Sequence, residues 1–291
     1  MRYLTAAALC ALFGAGGVPA QTPDTDIYLA PLRIVDGWVA IGVPVNITNR
    51  LGYDNQPQFS ANGRTLLFTA RMDDGQTEIF EYDLRTRKTT RLTHTPESEY
   101  SATPLRNGFS VVRVEPDSTQ RVWWFDRAGK NPTVLVDVKP VGYHACVSDQ
   151  QAALFVLGSP ATLQLADLRS REATVVAEQV GRALQKIPHW NGVSFVQRES
   201  DSTMWIRRID GTQHEVRPIA QALPGGEYHA WTPRCALLGT AGSKLYEWTP
   251  IDGGTWRQVF DAAPLGILLS RIAVSPRGDF IALVGERAPT R

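Results

Sequence analysis

Between Asp54 and Pro96 the stretch DNQPQFSANGRTLLFTARMDDGQTEIFEYDLRTRKTTRLTHTP holds four short apolar runs, around Pro57–Phe59, Leu66–Thr69, Ile79–Tyr82 and Thr90–Thr93. Asn62-Gly63 supplies a tight turn after the first run, Asp73-Asp74-Gly75 one after the second, and Arg85–Lys88 one after the third. Gly, Asn and Asp take the backbone conformations that reverse a chain within two residues, so runs this short and this often interrupted fold as strands joined by hairpins. The unit is a four-stranded antiparallel meander.

The same punctuation returns along the chain. Asp83, Asp126, Asp167 and Asp210 close the third strand of successive units at spacings of 43, 41 and 43. Gly63, Gly108, Gly192 and Gly278 read as turn glycines spaced 45, 84 and 86, one period and then two and two. Tyr143-His144-Ala145 and Tyr228-His229-Ala230 echo one another 85 residues apart, with Glu99-Tyr100-Ser101-Ala102 a looser copy. Four strands in a repeat of this length are the blade of a β-propeller. Units begin near Asp54, Glu99, Gly142, Arg182, Glu227 and Ser270, and the last holds only Ile272–Ser275 and Phe280–Val284. Its outer pair stands at the other end of the chain. Asp26–Leu29 resembles a third strand and Val45–Thr48 a fourth, with Arg33–Pro44 an inserted hairpin. The expected fold is all-β: a single six-bladed propeller of four-stranded antiparallel blades over 21–291, in which residues 26–49 complete the C-terminal blade. Closure of that kind leaves no open seam for edge pairing.

Pro57-Gln58-Phe59-Ser60-Ala61-Asn62-Gly63, with Leu67-Phe68-Thr69 and Ile79–Leu84 after it, resembles the P-x-W-S-P-D-G, I-x-F-x-S and I-Y-x-x-D segments of TolB-type six-bladed propellers. Trp231-Thr232-Pro233 and Val274-Ser275-Pro276-Arg277-Gly278 are further copies. The resemblance covers residues 24 to 286 and concerns the propeller part only, without the N-terminal domain that TolB itself carries. It implies an exported scaffold that binds proteins or small ligands.

The chain opens with Met1-Arg2, an apolar stretch Leu4–Val18, and Val18-Pro19-Ala20 before Gln21. This is the pattern of a secretory signal peptide cleaved after Ala20, so a periplasmic or secreted location is expected. No later run is long and apolar enough to read as a membrane span. Charge is balanced, 30 basic against 29 acidic residues. A chain without a net field does not hold phosphate backbones, so nucleic acid is not expected as a partner. Cys146 and Cys235 fall in non-neighbouring blades and read as free, buried thiols. The third-strand rings Trp123, Trp124, Trp205 and Trp248 read as packing between blades.

Function is expected where the innermost strands converge on the central channel. Their entrances carry Asn55, Gln56, Tyr100, Tyr143, His144, Lys186, Glu227, Tyr228, His229 and Arg271. Imidazoles, phenols, amides and both charge signs at one mouth suit a polar or anionic ligand. No nucleophile elbow, H-E-x-x-H, phosphate loop or C-x-x-C is present, and two histidines without a third fall short of a metal-ligand set. No catalytic residue, metal or cofactor is therefore assigned. The reading is an exported, monomeric, non-catalytic binding propeller of the cell envelope, its partner an envelope protein segment or a small ligand. The alternative is an enzyme on the channel histidines, such as a metal-dependent polysaccharide lyase or a sugar oxidoreductase, by analogy of fold.

Overall fold

A computed structural model describes residues 23–250 and 254–287. The expected signal peptide lies outside the described residues. Thr25–Val35 (β1), Trp38–Ile41 (β2) and Val45–Asn46 (β3) precede the first complete blade, made of Asp54–Phe59 (β4), Thr65–Arg71 (β5), Thr77–Asp83 (β6) and Lys88–Arg91 (β7). The second blade is Ser98–Leu105 (β8), Gly108–Val114 (β9), Gln120–Asp126 (β10) and Thr133–Val136 (β11). The third is Val141–Ser148 (β12), Gln151–Val156 (β13), Thr162–Asp167 (β14) and Ala173–Glu178 (β15). The fourth is Val180–Lys186 (β16), Gly192–Arg198 (β17), Met204–Asp210 (β18) and Val216–Gln221 (β19). The fifth is His229–Trp231 (β20), Leu237–Ala241 (β21), Lys244–Trp248 (β22) and Trp256–Asp261 (β23). Ile267–Val274 (β24) and Phe280–Arg287 (β25) open the sixth.

Every hairpin pairs antiparallel, giving six separate sheets. The first strands stand side by side in order, and β24 returns to lie beside β4. The molecule is a six-bladed propeller. Because side chains alternate across a strand, each blade buries one face against the blade before it and the other against the blade after. In β5, Leu66, Phe68 and Ala70 join a cluster with Ile27, Ala273, Ala282 and Val284 of the sixth blade, while Leu67 faces Ala102, Phe109, Val111 and Phe125 of the second. The remaining interfaces are built alike. The core is thus a set of wedges between blades, and it is mostly aliphatic. The third-strand tryptophans are only partly buried: Trp123 and Trp248 pack at the rim of such wedges, while the Trp205 Nε1–H donates to Glu199 at 2.8 Å.

Closure follows the expected plan. Thr25–Pro31 of β1 pairs with Glu286–Phe280 of β25, and Tyr28 and Leu29 pair with Asn46 and Val45 of β3. The second half of β1 leaves the blade as a hairpin with β2, turning at Asp36 and Gly37, both at positive φ. This inserted hairpin is anchored to the fifth blade, where the Val39 N–H donates to the buried Glu247 carboxylate at 2.8 Å.

Turn chemistry explains the repeat markers. Asp83, Asp126, Asp167 and Asp210 each end a third strand and accept backbone N–H groups of the following turn, from Thr86, Ala128, Arg169 and Thr212 among others. These backbone hydrogen bonds hold all four carboxyls below their ordinary range. The glycines divide into two kinds, which corrects the reading of all four as turn residues. Gly63 and Gly278 are left-handed, at φ 68° and 70°. Gly108 and Gly192 instead begin strands, where a Cβ would meet the carbonyl oxygens of Phe125 at 2.0 Å and Ile209 at 2.3 Å. There glycine permits close approach of two backbones. Both described cysteines are free thiols, but Cys235 is exposed rather than buried, and Cys146 is only half-buried. Among the described residues no helix is long and apolar enough to cross a membrane.

Candidate functional site at the channel mouth

The innermost strands do not run straight. Pairing slips between Asn55 and Gln58, Tyr100 and Thr103, Val141 and Tyr143, Val180 and Leu184, and Leu269 and Ile272. A bulge of this kind inserts an unpaired residue and turns a side chain away from the alternation of the sheet. Gln56 and Ser101 sit in these bulges at φ 57° and 54°. The side-chain oxygen of Gln56 stitches the two blades together, accepting from Thr69 Oγ1 at 2.8 Å and from the Ser101 N–H at 2.7 Å.

The bulges gather the site. Of the expected residues, Gln56, Tyr143, His144, Tyr228, His229 and Arg271 line one cavity of about 60 Å³, joined by Ser101, Thr103, Arg182 and Gln185. The others stand apart from its wall. Asn55 is buried and accepts from the Gln56 N–H at 2.7 Å. Tyr100 packs on the apolar cluster between the second and third blades. Glu227 accepts the Arg182 N–H at 2.6 Å. Lys186 is a correction: it is exposed, at the far end of β16, where its ammonium donates to the carbonyl oxygens of Val147 and Trp190. The fourth blade presents Arg182 to the cavity instead. Tyr53, just before β4, also belongs to the group, since its phenol interacts electrostatically with Arg271, Tyr143, Tyr228 and Tyr100. Burial raises the pKa of Tyr53 and of Tyr228, so both phenols stay neutral.

Arg271 stands at the centre. Its guanidinium carbon lies 4.5 Å from the ring centre of Tyr143 and 4.3 Å from that of Tyr228, within cation–π range of both. The two histidines are copies of one arrangement. His144 Nε2 is 2.7 Å from Ser110 Oγ on β9 of the preceding blade, and His229 Nε2 is 2.7 Å from Ser194 Oγ on β17 of its preceding blade. Both rings are buried, and burial alone lowers their pKa to about 4 and about 3. They are neutral imidazoles at physiological pH. The Nδ1 of each has no hydrogen-bond partner among the described residues.

A metal of the lyase kind does not fit these residues. Among the described residues no group of three or more His, Cys, Asp or Glu side chains comes together to hold one. Both imidazole Nε2 atoms are engaged with hydroxyls.

The architecture has known counterparts. A protein of Agrobacterium tumefaciens provisionally named TolB superposes at TM-score 0.70 with 13% identity, over 91% of this chain and 99% of that one. The propeller fold is TolB-like. TolB of Acinetobacter baumannii gives TM-score 0.58 and 9% identity over 93% of this chain and 66% of that one. An oligogalacturonate lyase, solved in complex with manganese, gives 0.54 and 18% over 89% and 78%. No family model matches the sequence. At these identities the likeness is one of fold.

Proposed function

We propose that this chain is an exported, non-catalytic binding propeller of the cell envelope, freed of its leader after Ala20, which holds a segment of a partner protein or a small ligand at the channel mouth. The observation that carries the reading is the cavity in which Tyr143, Tyr228 and Arg271 stack beside two buried, neutral imidazoles. Amphipathic rings and fixed donors are what a recognition site supplies. At about 60 Å³ the cavity has roughly four to six times the volume one water needs. It admits a functional group of a few heavy atoms, with the rest of the ligand outside. Burial lowers the basicity of both imidazoles well below that of an ordinary histidine, and no carboxylate hydrogen-bonds either ring to orient it as a general base. The TolB-like fold agrees with an envelope location.

The test is a two-dimensional NMR survey of the full chain against acetate, galacturonate, glucose and a blocked tripeptide amide. Shift changes are expected at Tyr143, Arg182, Tyr228 and Arg271. Changes confined to loops away from the mouth, or none with any probe, would overturn the reading. The likeness to oligogalacturonate lyase motivates one further arm. Unsaturated products released from oligogalacturonate in the presence of manganese would establish an enzyme and sink the non-catalytic proposal.

A further inference from the structure

The geometry points to a carboxylate as the group that the channel mouth receives, seated edge-on against the guanidinium of Arg271 between Tyr143 and Tyr228. This inference rests on the binding role proposed above and gives it a ligand chemistry.

Arginine residues elsewhere in the fold meet carboxylates: Arg50, Arg91, Arg113 and Arg121 each have one within 4.0 Å. Among the described residues Arg271 makes no ion pair within 4.0 Å and no hydrogen bond from its guanidinium, which lies against the rings of Tyr143 and Tyr228 and interacts electrostatically with Tyr53 and Glu227. The two rings lie against the guanidinium, and none of its N–H groups is taken by a protein acceptor, so its N–H edge is available. That edge is the fork that matches a carboxylate in two parallel hydrogen bonds.

The surrounding charge favours an anion. Glu227 lies beyond 4.0 Å from Arg271 and already accepts the Arg182 N–H, while Arg182 itself lines the cavity. Both histidines are neutral there, so the buried charge beside the two rings is the guanidinium of Arg271.

The imidazoles beside the cavity have fixed tautomers. The Trp231 Nε1–H donates to Ser194 Oγ at 2.8 Å, which leaves the hydroxyl proton to point at His229 Nε2, 2.7 Å away, rather than at the Gln185 carbonyl 3.5 Å away. A neutral ring that accepts at Nε2 carries its own proton on Nδ1. Ser110 Oγ is likewise 2.7 Å from His144 Nε2 against 3.4 Å from the Thr103 carbonyl. Both Nδ1 atoms are thus buried N–H groups without a partner in the protein, on residues that line the cavity. The cavity volume suits the three heavy atoms of a carboxylate and its carbon, with the rest of the ligand in the open mouth.

A carboxylate can belong to a free small acid or to the C-terminus of a protein segment. We would titrate the full chain at fixed ionic strength with sodium acetate, with N-acetyl-trialanine as free acid, and with the same peptide as its amide, using chloride as the control salt and NMR shifts at the mouth as readout. Saturable binding of the free acids and not of the amide is expected. Acetate matching the peptide acid would identify a small-acid site, and a peptide acid that binds where acetate does not would identify a chain terminus. Arg271→Gln should weaken binding about tenfold or more, and Arg271→Lys, which keeps the charge but loses the fork, should weaken it several-fold. Should the Arg271 variants fail to fold, Glu227→Gln serves instead: removing the competing charge should tighten binding about threefold. Equal binding of acid and amide, or affinity unmoved by Arg271→Gln or by Glu227→Gln, would overturn the carboxylate assignment. If the amide still perturbs the mouth, the binding role stands and only the ligand chemistry falls. If no probe perturbs it, both fall together.

Discussion

At φ 61°, Cys235 occupies the turn position that carries Gly63 at φ 68° in the first blade and Gly278 at φ 70° in the sixth. All three N–H groups close the same turn, onto the carbonyls of Thr232, Ser60 and Ser275. A side chain at positive φ crowds the backbone, and glycine relieves that at some cost in unfolded-state freedom. Cys235→Gly should therefore raise the unfolding free energy by about 0.5–1 kcal/mol, read as a higher guanidinium midpoint at unchanged slope. A lower midpoint would mean that the thiol, 3.8 Å from the Pro188 carbonyl, contributes more than the turn strain removes. The residue scale also shows why one member of the candidate site was misplaced. The fourth unit is expected to start near Arg182 with Lys186 as its channel residue, but β16 spans Val180–Lys186, so Arg182 at its start takes the inward position and Lys186 stands at its far end. Link lengths between blades are set by packing, which a periodic count along the chain does not register. The Tyr-His-Ala copies were legible because residues and spacing repeat together. Arg182 could have been found by aligning Gly181-Arg182-Ala183 with Ser270-Arg271-Ile272.

Hairpins and their turns were the most readable elements, since each is decided within about ten residues by alternation and turn chemistry. The bulges that aim the site were not readable, because a bulge depends on what the neighbouring strand offers. The β1–β2 hairpin lies between these cases. Asp36-Gly37 marks its turn, but its docking is long-range: Val39 donates to Glu247 some two hundred residues on, Leu32 and Val39 pack with Leu238 and Leu245, and the Arg257 guanidinium lies 4.2 Å from the Trp38 ring centre. Glu247 is buried, and burial raises its pKa above the ordinary carboxylate value. A buried donor left without its acceptor costs about 1–3 kcal/mol. Glu247→Ala should lower stability by that amount and speed amide exchange at Val39 and Ala40 before it does so in the other blades. Uniform acceleration across all sheets would mean that the hairpin unfolds only with the whole propeller.

For the whole molecule, opposing titrations set a preferred pH. His144 and His229 are held down to about 4 and about 3 by burial, whereas the unfolded chain protonates them near the ordinary 6.5. Their stabilisation is complete above 6.5 and is lost as pH falls toward those folded values. Glu99 and Asp54 act the other way. Burial raises both, Asp54 to about 6, and the neighbouring Glu78 raises Glu99 further against the opposing pull of Thr95 and Arg113. Their contribution is complete below the ordinary carboxylate range and is lost as pH rises through the folded values. Chemical denaturation between pH 4 and 9 should find greatest stability near pH 6, with the alkaline limb flattened in Glu99→Gln. Stability that keeps climbing through pH 8 would contradict this balance. The clasp that closes the propeller also governs when the molecule can exist at all. Thr25 pairs with Glu286, so the sixth sheet unites nearly the first and nearly the last described residues, a contact of extreme sequence separation and correspondingly slow to form. During synthesis five blades can assemble while β1 waits without its partner until Phe280–Arg287 has left the ribosome. A chain cut short before Phe280–Arg287 leaves β1 with an unpaired strand edge, the kind of surface from which aggregation starts.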